Sequence, residues 1–173
     1  ERLQDIRACI GCNQACIGHS HTGHRISCIQ HPETGREIEY GKRDGVTSPR
    51  KILVAGGGPA GMKAAAVAAE RGHSVTLYEA SSRVGGQALL AQLLPGRAEF
   101  GGIVTNLTRE MELAGVEIVV NTRVTPELVA NKKPDSVIVA TGAAPRVPEI
   151  PGVKDAHVVT AWQVLRNEVN VGH

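Results

Sequence analysis

Every cysteine of the 173-residue chain lies in CIGCNQACIGHSHTGHRISC, residues 9–28, as Cys9, Cys12, Cys16 and Cys28. The gaps between them are two, three and eleven residues. Thiolates at such spacing close around zinc or an iron-sulfur cluster. Structural zinc is usually held by two separated CxxC pairs, whereas here three thiols share one tight loop, which suits a 4Fe-4S cube better. Gly11 and Gly18 are expected to make the sharp turns of this loop and to leave amides free to donate to sulfur. A structural zinc site and free or disulfide-bonded thiols are the competing readings. Four thiolates fill the ligand positions of a cube, so His19, His21, His24 and His31 read as exposed loop residues. His73 and His157 read as structural.

A second cluster of chemistry follows in KILVAGGGPAG. Gly56, Gly58 and Gly61 form a G-x-G-x-x-G turn directly after a strand-like run and directly before a helix-like one. In such a turn the first glycine allows the tight bend, the second lets the backbone approach a pyrophosphate, and the third lets helix pack closely on strand. The helix N-terminus then offers unpaired N–H groups and partial positive charge to the anion. Glu79 falls at the end of the next strand-like run, where a carboxylate accepts hydrogen bonds from a ribose 2'-hydroxyl and repels a 2'-phosphate. FAD or NAD is therefore favoured over NADP, and the pattern alone does not separate the two. The competing reading is a structural glycine turn with a solvated Glu79.

These residues must be positioned by two different kinds of chain. Residues 1–49 are polar and glycine-rich with little periodicity, a loop-rich module held by something other than a core. TSPR, Thr47 to Arg50, is a plausible junction. From there the pattern turns α/β: KILVA as a strand, AGMKAAAVAAERG as a helix capped by Gly72, and SVTLYEA as a second strand ending in Glu79. ALLAQLL and a helix from about Phe100 to Ala114, closed by Gly115, precede a strand at Val116 to Val120. Thr125 caps a short helix with Pro126 at its first position. SVIVA, Ser136 to Ala140, is a fourth strand followed by Thr141 and Gly142. APRVPEIPG is extended by its prolines, and AWQVLRN reads as a short helix. The fold class is thus a Rossmann-like α/β half-domain with a parallel sheet at residues 50–173, preceded by a small metal-binding module at residues 1–49.

With 42% hydrophobic residues, 21% charged residues and a net charge of +2, the composition is that of an ordinary globular protein. It recommends neither nucleic acid nor membrane as a partner. Four aromatics in all leave the core to Ala, Val, Leu and Ile, as close-packed α/β layers require. No run is long and apolar enough for a membrane span and the start lacks a signal-peptide core, so the reading is cytoplasmic, where clustered cysteines more often bind metal. The early onset of the cysteines and the uncapped tail NEVNVGH suggest a piece of something larger.

The ordered motifs CIGCNQAC, ISC, TGRE, KILVAGGGPAGMKAA, YEA, RVGGQ, NTRVT, IVATGAAPRVPEIPG and TAWQVL resemble one family across essentially the whole chain. It comprises the iron-sulfur flavoenzymes that join an old yellow enzyme-like barrel to a cluster and a nucleotide domain: 2,4-dienoyl-CoA reductase, trimethylamine dehydrogenase, histamine dehydrogenase and N-methylproline demethylase. The resemblance implies that the nucleotide is FAD, or ADP in the amine-dehydrogenase branch. It implies an FMN-bearing barrel ahead of this chain, where a small-molecule substrate reacts, and an inserted NAD(P)H-binding domain after it. It also implies cofactor-binding roles for Ala60 in the phosphate turn, Glu79 at the ribose and Gln87 beside the pyrophosphate or ribitol. Arg97 would be a nucleotide contact, Val124 would offer its backbone to adenine, and Thr141 and Gly142 complete the set. His31 departs from the family, whose members usually carry Asn before this proline. The C-x2-C-x3-C-x11-C spacing is similar to that of the dienoyl-CoA reductase and demethylase branches, and TGRE tilts the reading toward the demethylase.

The function expected is a relay of electrons between FMN, the 4Fe-4S cluster and FAD in an NAD(P)H- or amine-linked oxidoreductase. An electron-transfer partner and a homo-oligomer are expected of the full-length protein. No residue here reads as a general acid, base or nucleophile, so no catalytic residue is assigned. The alternative is a zinc-stapled, NAD-binding sensor or adaptor without redox chemistry, which would be colourless.

Overall fold

The computed structural model describes residues 2–41, 44–170 and 172. Of the tail NEVNVGH, Val171 and His173 lie outside the described residues. Four short strands, β1 (Lys51–Ala55), β2 (Ser74–Tyr78), β3 (Glu117–Val119) and β4 (Ser136–Val139), form one sheet in the order β3-β2-β1-β4. All three pairings are parallel, with Ile52 opposite Val75 and Ser136, and Leu77 opposite Ile118. A parallel sheet must be covered on both faces, and β1 is apolar on both. Ile52 and Val54 face a core built with Met62, Ala65, Ala66, Leu107 and Met111, while Leu53 and Ala55 face a smaller one with Tyr78.

The helices that cover the first face are α3 (Pro59–Glu70) and α5 (Gly101–Ala114). Gly61, Met62, Ala65 and Ala66 give α3 a small buried face, which lets it sit close to the sheet. It ends where expected: Gly72, at φ +95°, donates its amide to Ala69. Gly115, at φ +74°, closes α5 in the left-handed conformation, which costs glycine nothing. On the second face α6 (Pro126–Lys132) begins at Thr125, whose hydroxyl accepts from the Leu128 amide. A further helix, α7 (Ala161–Leu165), is opened by a capping box between Thr160 and Gln163.

Most boundaries differ from expectation by one or two residues. β2 stops at Tyr78, so Glu79 follows the strand rather than ending it, although its amide still donates to Val119. Val116 and Val120 lie outside β3, and Ala140 outside β4. Phe100 belongs to a tight turn, Ala98–Phe100, ahead of α5. ALLAQLL contributes only the one-turn α4 (Ala88–Ala91).

The described residues before Arg50 form turns and short helices, as expected. They hold a tight turn at Leu3–Asp5, a wide π-type turn at Gln14–Gly18, and the short helices α1 (His19–His21) and α2 (Glu37–Tyr40). Among the described residues there, only Ile10, Gln30 and Glu33 are buried.

Candidate dinucleotide cleft and cysteine loop

The order of the sheet reverses between β1 and β4, and a ligand crevice in an open α/β sheet opens at the carboxyl ends of the strands at such a point. Gly56 leaves β1 at φ +110°, and a Cβ on it would lie 2.4 Å from the Ala140 carbonyl oxygen, so the turn is possible only without a side chain. A Cβ on Gly61 would lie 2.0 Å from the Gly56 oxygen. At Gly58 the opposite holds: a Cβ there would meet nothing within 4 Å. The three glycines thus divide, two packed closely within the protein and one, Gly58, facing open space. Gly58 is extended (φ −73°, ψ 173°) and heads α3 with no side-chain cap, so the helix leaves first-turn amides at Ala60 and Gly61 without internal partners.

Glu79 is the most engaged polar group of this region. Its Oε2 accepts from the Gly57 amide at 2.6 Å, and its Oε1 accepts from the Ser81 amide at 2.8 Å and the Ser81 hydroxyl at 2.6 Å. Burial pushes its carboxyl up, but hydrogen bonds from Ser81, Gly57 and Ala80 outweigh burial and hold it below the ordinary carboxylate range. It is therefore an anion at neutral pH, fixed against the glycine turn. Gly57 and Ser81 were not legible in the sequence as parts of the site. Gly57 acts through a backbone amide, and the only signal for Ser81 was its position two residues past the acid.

A cleft of about 730 Å³ opens beside them, lined by Gly56, Glu79, Arg123, Val124, Val139 and Thr141 among others. Of the predicted residues, Gly56, Glu79, Val124 and Thr141 are thus brought together directly. Gln87 reaches the same end of the sheet by another route, donating to the Ala143 carbonyl at 2.8 Å and so tying its loop to the segment after β4. Gly142, at φ +75°, would carry a Cβ 3.9 Å from the Gln87 amide nitrogen. Gly85 donates to the Gly57 carbonyl at 2.7 Å, and a Cβ on Gly86 would press on Gly58 at 2.9 Å, so this glycine pair packs against the glycine turn. Arg97 is not brought to the cleft; it lies 5.8 Å over the Phe100 ring.

The four cysteines are free. Gly11 and Asn13 adopt left-handed conformations (φ +62° and +54°) between and after Cys9 and Cys12, and the Gly11 amide points at Cys9 Sγ at 3.4 Å, as expected for an amide donating to sulfur. Gly18 is different from expectation. It lies in the wide turn in a helical conformation, and its amide donates to the Asn13 carbonyl at 2.8 Å rather than to sulfur. The Ser27 amide donates to Ala15 at 2.8 Å, which folds the chain before Cys28 back onto the loop of Cys16. Among the described residues no three His, Cys, Asp or Glu side chains gather as ligands of a single metal ion. A four-iron cube spreads its thiolates over separate corners and asks for no such point, and four thiols on one folded loop fit its donor set. His19 hydrogen bonds to the Arg25 carbonyl and His31 to Thr34, so both rings have partners within the loop. The His73 ring accepts from the Arg50 amide.

Residues 50–168 match the pyridine nucleotide-disulphide oxidoreductase family. A metal reductase of Desulforamulus reducens is 42% identical over 98% of this chain and 26% of its own length. A probable N-methylproline demethylase of Rhizobium meliloti is 36% identical over 99% of this chain and 25% of its own length. Among solved structures, 2-naphthoyl-CoA reductase bound to 2-naphthoyl-CoA superposes with a TM-score of 0.92 at 29% identity, over 98% of this chain and 26% of that one. These relatives bear out the resemblance read from the motifs, and the chain spans about a quarter of the length of the curated relatives it matches. Among the described residues no helix is long and apolar enough to cross a membrane.

Proposed function

The chain belongs to the pyridine nucleotide-disulphide oxidoreductase family, and from that premise we propose that it relays electrons within a larger flavin-dependent oxidoreductase. In this reading the cleft beside Glu79 holds FAD, and Cys9, Cys12, Cys16 and Cys28 hold a 4Fe-4S cluster. The observation that carries it is the pairing in one chain of a glycine turn open at Gly58 and a loop of four free thiols. When bound, a flavin supplies two-electron chemistry and a cluster single-electron steps, which lets the pair connect a hydride donor to a one-electron carrier.

The chain's own residues do the rest. The first-turn amides of α3 receive the pyrophosphate, with Gly58 allowing contact. Glu79, held ionised by Gly57 and Ser81, keeps acceptor capacity for a ribose hydroxyl and disfavours a phosphate in its place. Gln87 ties the loop of the glycine pair to the segment after β4. Gly11 donates to Cys9 Sγ, a contact that raises the potential of a bound cluster by stabilising charge on sulfur. Substrate chemistry belongs to an FMN-bearing barrel of the full-length protein: in the reductase direction NAD(P)H feeds the FAD end and FMN reduces substrate, and in the amine direction FMN oxidises the amine and electrons leave through the cluster.

The test is the metal and flavin content of anaerobically purified full-length protein. The reading predicts iron and acid-labile sulfide at about four each per chain together with bound flavin. Zinc in place of iron, in a colourless protein, would sink it in favour of the sensor or adaptor.

A further inference from the structure

We propose that α5 fixes the distance between the cysteine loop and the dinucleotide turn, with Glu110 as a positioning residue that acts through Arg7. The inference rests on the reading that the cysteine loop holds a redox centre. Gly102, Asn106 and Glu110 are spaced by four and so share one face of α5. That face is where residues flanking the first and last cysteines converge.

At Gly102 a Cβ would lie 3.3 Å from Ile10 and 3.8 Å from the Gln30 amide nitrogen, so the absence of a side chain lets both settle on the helix. Gln30 Nε2 in turn donates to the Ala8 carbonyl at 3.2 Å, which ties the residue before Cys9 to the segment after Cys28. Asn106 is buried and lines a cavity of about 200 Å³ with Gln30, Pro32, Pro59 and Lys63, between the segment after Cys28 and the start of α3. Glu110 is 6% exposed. Its Oε1 lies 2.9 Å from the Arg7 guanidinium, two residues from Cys9, and its Oε2 accepts from Lys63 of α3 at 2.7 Å. Beside it, Arg109 donates to Asp5 at 2.7 Å.

The same helix meets the dinucleotide side. A Cβ on Gly85 would lie 2.9 Å from Val104, so the glycine pair that packs on the glycine turn also rests on α5. One rigid element therefore touches both stations. A buried carboxylate between two cations adds little net stability over an apolar contact but is costly to break, and it admits one register. That is what a fixed spacing between two centres requires.

The experiment compares Glu110→Gln and Arg7→Met with the full-length wild type by hydrogen exchange and by redox titration of the cluster. Amides of residues 8–12 and 28–31 should exchange about tenfold faster or more in both variants, with residues 51–55 unchanged. The cluster potential should rise in Glu110→Gln, which loses a negative charge, and fall in Arg7→Met, which loses a positive one. A packing defect alone would not separate the two in sign. Unaltered exchange, or potentials that move the same way, would overturn the proposal. Should Glu110→Gln fail to accumulate, Arg7→Met decides, with rescue expected in Arg7→Lys. In a protein lacking iron the relay reading fails, while exchange at residues 8–12 still decides the positioning role.

Discussion

Between Lys51 and Val139 the chain buries Leu53, Val54, Met62, Ala65, Leu77 and Met111 to 2% exposure or less. Before Arg50 the described residues bury Ile10, Gln30 and Glu33, and two of those three are polar. The later region is a layered α/β core that defines its own geometry, because strands apolar on both faces leave the helices one place to pack. The earlier region is closed by turn hydrogen bonds and by charge pairs to α3 and α5. A module without a core depends on such staples, and in the proposed reading a bound cluster would be a further one.

The sharpest way to break this comparison is to remove the ligands. In the full-length protein, Cys12→Ser with Cys16→Ser should strip amide protection from residues 8–34 and leave residues 51–139 protected, as read by hydrogen exchange. Equal loss in both regions would mean they share one folding unit. Next in size is a contrast within the glycine turn. Gly61→Ala should cost about 1–3 kcal/mol in thermal unfolding because its Cβ has no space. Gly58→Ala should cost less than that and chiefly weaken nucleotide retention.

Glu79→Gln should lower stability by about 1 kcal/mol after allowance for solvent screening, and should weaken flavin retention. Because the folded protein holds this carboxyl below the ordinary range, its contribution is complete above that range and is lost as pH falls through the lowered value. The difference between wild type and Glu79→Gln in a pH series of unfolding midpoints should therefore shrink toward acid. A difference that grows on acidification contradicts the assigned role. Smallest is Thr125→Ala, which removes the cap of α6 and should cost about 0.5–1 kcal/mol without affecting the cysteine module.

The contrast also explains what could be read in the sequence. Local signals placed the sheet half well: the apolar run of β1, Gly72 and Gly115 past helix ends, and Thr125–Pro126 at a helix start each depend on neighbours a few residues away. Glu79 was legible from its place after β2, whereas Val124 came from family resemblance and does line the cleft. Arg97, from the same source, lies on Phe100 instead. The α5 face was not legible, because its partners are remote: Glu110 pairs with Arg7, near the start of the described residues. Gly18 was misread for a related reason. A glycine among cysteines suggests a donor to sulfur, but the wide turn takes its amide for the Asn13 carbonyl.

The cysteine loop and the Glu79 cleft are proposed as two stations of one relay. Its most direct test follows flavin absorbance and the iron signal together after the anaerobic full-length protein is mixed with NAD(P)H or with an amine substrate. Flavin bleaching should be accompanied by a paramagnetic signal from reduced iron in the same protein. Flavin that bleaches while iron stays oxidised, or a loop that carries zinc, would contradict it.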